Sequence, residues 1–90
     1  MPSRILLVED EEKMRRILEI MLSQDGYRID TAENGLKALP LCEKNRYGLV
    51  ITDLKMPELD GIAFMRRLRK IAPDVPVIVI TAFGSIETAV

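Results

Sequence analysis

Histidine is absent from the 90 residues, and cysteine occurs once, at Cys42. Without imidazole there is no cysteine/histidine zinc site and no Ser-His-Asp or Cys-His nucleophile, which removes most hydrolase chemistry. A lone cysteine closes no internal disulfide. A surplus of charge of one sign is also lacking: 13 Lys and Arg stand against 14 Asp and Glu, a net charge of -1. A nucleic-acid-binding domain normally carries a strongly basic footprint, so direct contact with nucleic acid is not expected of these residues. Long hydrophobic runs are missing as well. Stretches such as Val75 to Ile80, interrupted by Pro76, fall far short of the roughly 20 apolar residues that span a bilayer. Only Ile5, Leu6, Leu7 and Val8 separate Arg4 from Glu9, too few for the roughly 7–15-residue apolar core of a secretory signal. The expected compartment is the cytoplasm. The glycines at 26, 35, 48, 61 and 84 are too scattered for a phosphate-cradling loop or a dinucleotide fingerprint.

What is present is one small domain, 48% apolar and 30% charged, in which β-branched runs alternate with segments of helical period. Arg4 to Val8 reads as a strand buried on both faces, stopped by Glu9-Asp10-Glu11-Glu12. A helix to about Ser23 follows, with Met14, Ile17, Leu18, Met21 and Leu22 on its apolar stripe. Tyr27 to Ala32 alternates with Arg28 and Asp30, as an edge strand does. Asn34-Gly35 opens a helix to about Glu43, in which Pro40 should introduce a kink or an early end. Leu49 to Thr52 is a third strand halted by Asp53, and Lys55-Met56-Pro57-Glu58 is a loop. Asp60-Gly61 starts a helix with a stripe of Ile62, Met65, Leu68 and Ala72; Arg66, Arg67, Arg69 and Lys70 lie toward its end, where cations offset the helix dipole. Val77 to Ile80 is a fourth strand, and Gly84-Ser85-Ile86-Glu87 reads as the start of another helix. The alternation predicts an α/β, doubly wound parallel sheet of four strands and about four helices.

In such sheets ligands bind beyond the carboxyl ends of the strands, where the strand order reverses. Glu9 and Asp10 stand at the end of the first strand, Asp53 at the end of the third and Thr81 at the end of the fourth. If the first and third strands are neighbours, three carboxylates crowd one crevice and repel by several kcal/mol unless a cation joins them. Oxygen ligands without imidazole or thiolate favour magnesium or calcium. An aspartate beside such a cation can itself accept a phosphoryl group, and Asp53 is the candidate.

Ile5 to Glu12, Asp53-Leu54-Lys55-Met56-Pro57-Glu58-Leu59-Asp60-Gly61 and Val77 to Ala82 together resemble the receiver domain of bacterial two-component response regulators. The resemblance covers residues 1–90 and implies a flavodoxin-like strand order of 2-1-3-4-5. It implies that Asp53 takes a phosphoryl group from a phosphohistidine on a sensor histidine kinase. Mg2+ would be held by Asp10, Asp53 and the backbone carbonyl of Lys55, with Glu9 acting through water. Thr81 would hydrogen-bond the phosphoryl oxygens and switch an output domain, DNA-binding or ATPase, outside these residues. The chemistry is at most self-catalysed aspartyl phosphorylation and dephosphorylation. The run Thr81 to Ala89 further resembles receivers of sigma-54-dependent, nitrogen regulatory protein C-like activators. A complete receiver also has a fifth strand ending in a lysine, then a fifth helix. Their absence here predicts a C-terminally truncated receiver with an uncovered fourth strand, open to a homodimer or swapped assembly. A phosphorylation-independent interaction module, or pseudo-receiver, that dimerises through that strand is the alternative function.

Blander readings stand beside these. Glu9 to Glu12 would serve as acids complementing a helix dipole, Asp53 as a turn former and Thr81 as an ordinary strand residue. Lys55 and the cations from Arg66 to Lys70 would be solvated. Cys42 and the methionines at 14, 21 and 65 would be packing residues.

Overall fold

A computed structural model of the chain describes residues 4–53, 61–80 and 86–89. The elements follow in the order β1 (Arg4–Val8), α1 (Glu12–Gln24), β2 (Arg28–Ala32), α2 (Gly35–Lys44), β3 (Leu49–Asp53), α3 (Gly61–Ile71), β4 (Val77–Ile80) and β5 (Ile86–Ala89). The strands form one sheet in the order β2-β1-β3-β4-β5. Strands β1 to β4 pair in parallel, with Val8 opposite both Ala32 and Thr52, and Asp53 opposite Ile80.

Alternation along each strand sorts side chains into two cores. Leu6, Val8, Val50, Val77 and Val79 face α2 and α3, where Ala38, Leu39, Cys42, Phe64 and Leu68 complete the larger cluster. Ile5, Leu7 and Ile51 face the opposite side, with Leu18 and Leu22 of α1 and Ile78 and Ile80 packed against them. Both faces of the sheet are therefore used, as the continuous apolar strands require.

Helix α2 begins where Asn34 caps it, its Oδ1 accepting from the Lys37 amide at 2.8 Å. The expected kink or early end at Pro40 does not shorten the element, which runs through the proline to Lys44. The turn after α1 passes through Gly26 at φ +90°, a conformation that side chains other than glycine's rarely adopt. At the amino-terminal end of the sheet, Oδ2 of Asp30 accepts from Arg4 Nε at 2.9 Å and from the Tyr47 hydroxyl at 2.7 Å, tying β2 to β1 and to the segment before β3.

Several expectations are corrected. Ile86–Ala89 is a strand, not a helix start, and pairs antiparallel with β4, Ile80 opposite Ile86 and Val77 opposite Ala89. The unpaired backbone groups of β4 offer this segment a ladder at once, whereas a helix must fix a whole turn before its first hydrogen bond. The described residues consequently hold three helices instead of about four, and β4 is not the uncovered edge expected to mediate dimerisation. The buried stripe of α3 centres on Phe64 and Leu68, both 0% exposed, while Ile62 is 55% exposed. Met14 and Met21 are likewise exposed at 43% and 57%, and α1 has no fully buried residue. Among the described helices α1 is alone on its face of the sheet, where Leu18 and Leu22 pack against the strands and the rest of its apolar stripe meets no other described helix. No described helix is long and apolar enough to cross a membrane.

Candidate functional site

The chain leaves β1, returns to form β2 on one side, and then crosses to β3 on the other. This reversal of winding direction opens a crevice at the carboxyl ends of β1 and β3, because α1 and α3 pack on opposite faces of the sheet. Glu9 directly follows Val8, Asp53 directly follows Thr52, and Val8 and Thr52 are register partners. The two side chains therefore emerge next to each other. Asp10 joins them, so that one carboxylate oxygen from each of Glu9, Asp10 and Asp53 lies within 4.8 Å of the others.

The three differ in environment. Glu9 is only 5% exposed, Asp53 is half-buried and Asp10 is exposed. Burial pushes the Glu9 carboxyl up to about 7 from an ordinary 4.5, opposed by a hydrogen bond from the Glu11 amide and reinforced by a hydrogen bond with Asp10 and by the negative charges of Asp53 and Asp10. The Glu11 amide donates to Glu9 Oε1 at 3.2 Å. The Glu9 amide donates to the Ala32 carbonyl at 3.1 Å, and Nη1 of Arg15 donates to the Glu9 carbonyl at 2.9 Å. The connection from β1 to α1 is thus fixed from β2 and from the helix.

An oxygen-only donor set of clustered carboxylates suits a hard divalent cation that keeps several waters, and its repulsion is relieved when such a cation enters. The residues present fit magnesium on that ground. Lys37 pairs with Glu33 one helical turn away on the exposed surface at the start of α2.

Of the residues singled out from sequence, Glu9, Asp10 and Asp53 are brought together. Lys55 and Thr81 lie outside the described residues. The sequence reading missed Arg15, which lies off the apolar stripe of α1 and whose guanidinium reaches back to the Glu9 carbonyl. No sequence signal singles it out, because Lys13 and Arg16 share the opening turns of α1.

Comparison with known proteins gives a consistent result. The family model described as response regulator receiver domain matches residues 5–90. The transcriptional regulatory protein GlrR of Escherichia coli (strain K12) is 39% identical over 89 residues, covering 99% of this chain and 20% of that protein. Response regulator MprA of Mycobacterium sp. (strain KMS) is 41% identical over 90 residues, covering 100% of this chain and 39% of that protein. The chain thus spans between a fifth and two fifths of the length of these relatives. Among solved structures, the receiver domain of the hybrid histidine kinase CckA superposes with a TM-score of 0.86 at 33% identity, covering 92% of this chain and 79% of that one. Response regulator protein TrrA of Thermotoga maritima, in complex with Mg(2+)-BeF, gives 0.84 at 42% identity, covering 89% of this chain and 70% of that one.

Proposed function

This chain belongs to the response regulator receiver domain family, and from that premise we propose that it is a phosphoacceptor switch whose acceptor is Asp53. The observation that carries the proposal is the convergence of Glu9, Asp10 and Asp53 within 4.8 Å at the reversal point of the sheet. One oxygen of the Asp53 carboxylate forms a bond to the phosphorus of a phosphohistidine on a sensor kinase as the phosphorus–nitrogen bond breaks. The electron pair stays on the imidazole, which takes up a proton, and an acyl phosphate remains on Asp53. Hydrolysis by water returns the carboxylate and releases phosphate.

Asp53 is suited to the acceptor role because it ends β3, the central strand, whose pairing on both sides holds the backbone that presents its carboxylate. Asp10, Asp53 and the Lys55 carbonyl would hold Mg2+, with Glu9 acting through a water. When bound, the ion neutralises charge on the oxygens of the transferring group. That the related TrrA was solved with Mg(2+)-BeF supports this assignment. Thr81 would donate its hydroxyl to the phosphoryl oxygens and so couple modification to the surface around β4. The output would lie in a domain beyond these residues, in line with GlrR and MprA being a transcriptional regulatory protein and a response regulator.

Intact mass after incubation with Mg2+ and acetyl phosphate tests the reading. One phosphoryl group is expected on the wild type and none on Asp53→Asn. An adduct of equal yield on both proteins would place the acceptor elsewhere.

A further inference from the structure

We infer that Arg15 is a positioning residue of the acidic site: by holding the Glu9 carbonyl, its guanidinium sets the plane of the Glu9–Asp10 peptide and so directs the Asp10 carboxylate into the cluster it shares with Asp53. The inference rests on the reading that this cluster takes a divalent cation.

Asp10 is exposed, and it follows the last residue of the connection anchored to the sheet. A planar peptide links the Glu9 carbonyl rigidly to the Asp10 α-carbon, so fixing that oxygen fixes the point from which the Asp10 side chain reaches the cluster. The oxygen accepts from Arg15 Nη1 at 2.9 Å. On the other side of Glu9, the amide donates to Ala32 at 3.1 Å and the Glu11 amide donates to Glu9 Oε1 at 3.2 Å; these bonds hold Glu9 and the entry to α1, and Arg15 is the group that holds the Glu9 carbonyl itself. Arg15 is in turn placed by the opening of α1, its amide donating to the Glu11 carbonyl at 2.9 Å. Arg15 is half-buried, and its charge also reaches Glu33 beyond the end of β2. A cation here works against the dipole of α1, a cost that a charge-assisted bond to a carbonyl offsets. A planar fork held by its own helix suits this task better than a flexible ammonium.

Charge and geometry make opposite predictions, which isolates the role. If Arg15 were only a nearby cation, its removal would tighten Mg2+ binding by removing repulsion. If it positions Asp10, removal weakens binding, by about tenfold on the scale usual for groups that orient metal ligands. The test is a Mg2+ titration of the full chain followed by NMR, comparing wild type, Arg15→Met, Arg15→Lys and Asp10→Ala. Weaker binding in Arg15→Met, partly recovered in Arg15→Lys, is expected. Binding as tight as wild type or tighter in Arg15→Met overturns the inference while leaving the cation site standing. If Arg15→Met does not fold by circular dichroism, Arg15→Lys decides at unchanged charge: weaker binding supports the inference and equal binding overturns it. A wild type that shows no Mg2+ response, indistinguishable from Asp10→Ala, removes the cation reading and this inference with it.

Discussion

Glu9 and Asp53 leave the ends of adjacent parallel strands side by side, each one residue beyond the paired Val8 and Thr52, and the charge on Asp53 helps to hold the proton on Glu9. The acidic site is therefore a set of interacting groups in which a change at one residue is felt at the next.

Asp53→Asn should bring the Glu9 carboxyl down from about 7, because one of the charges raising it is removed. Burial, the larger cause, remains, so the fall should be partial. Carbon-detected NMR titration of the Glu9 carboxyl measures it, and an unchanged midpoint would mean that the two groups do not interact.

The same shift links stability to pH in metal-free protein. With the folded value near 7 and the ordinary value 4.5, the folded state keeps a proton that the unfolded chain has already released between those limits. The contribution of Glu9 to stability is full below the lower limit, declines as pH rises through the interval, and levels off above the upper one. Urea midpoints measured from about pH 5 to about pH 7.5 should fall more steeply in wild type than in Glu9→Gln. Parallel profiles would contradict the assignment to Glu9.

Phe64→Ala should cost about 3–5 kcal/mol, the usual range for emptying a buried aromatic site, because the ring is 0% exposed in the larger core. Ile62→Ala, two residues earlier on α3, should fall within about 0.5 kcal/mol of wild type, as exposed substitutions do. Chemical denaturation of both variants checks which face of α3 is buried, and equal losses would reverse that conclusion.

Asn34→Ala should destabilise by about 1 kcal/mol, since it leaves the Lys37 amide at the start of α2 without its cap. The change is read as a lower thermal midpoint with no effect on Mg2+ affinity, because Asn34 is not among the clustered carboxylates. A variant with wild-type stability would show that water replaces the cap without loss.

Tyr47→Phe removes the hydroxyl that donates to Asp30 at 2.7 Å. Burial and the Asp30 hydrogen bond push the Tyr47 phenol up to about 12 from an ordinary 10. Its contribution is therefore present below the ordinary value and is lost as pH rises through the higher one. A loss of about 1 kcal/mol is expected at neutral pH, and the gap between the proteins should narrow in strong alkali. A gap that stays constant through the alkaline range would separate the stability loss from this hydroxyl.

The order of strands and helices up to β4 was legible because local patterns carry it. Apolar runs ended by Glu9 and Asp53 mark buried strands, and Asn34 and Gly26 mark where helices begin and turns reverse. Three motifs at three strand ends made the family legible. The helical stripes were less so: a period of 3.6 places Ile62, Met65 and Leu68 together, and only the packed partner shows that the stripe is centred on Phe64.

What the sequence determined by itself is the identity of the acidic residues and the chain segments that present them. The tertiary structure decided the rest, because proximity across a sheet depends on strand order. With β1 beside β3, an order that local pattern leaves open and the family resemblance implied, it gathered carboxylates 44 positions apart, Glu9 and Asp53, within 4.8 Å. It brought Arg15 back onto the Glu9 carbonyl, a contact that helical period alone conceals. It also turned Ile86–Ala89 into a strand, because the open side of β4 supplied hydrogen-bond partners that local propensity could not foresee.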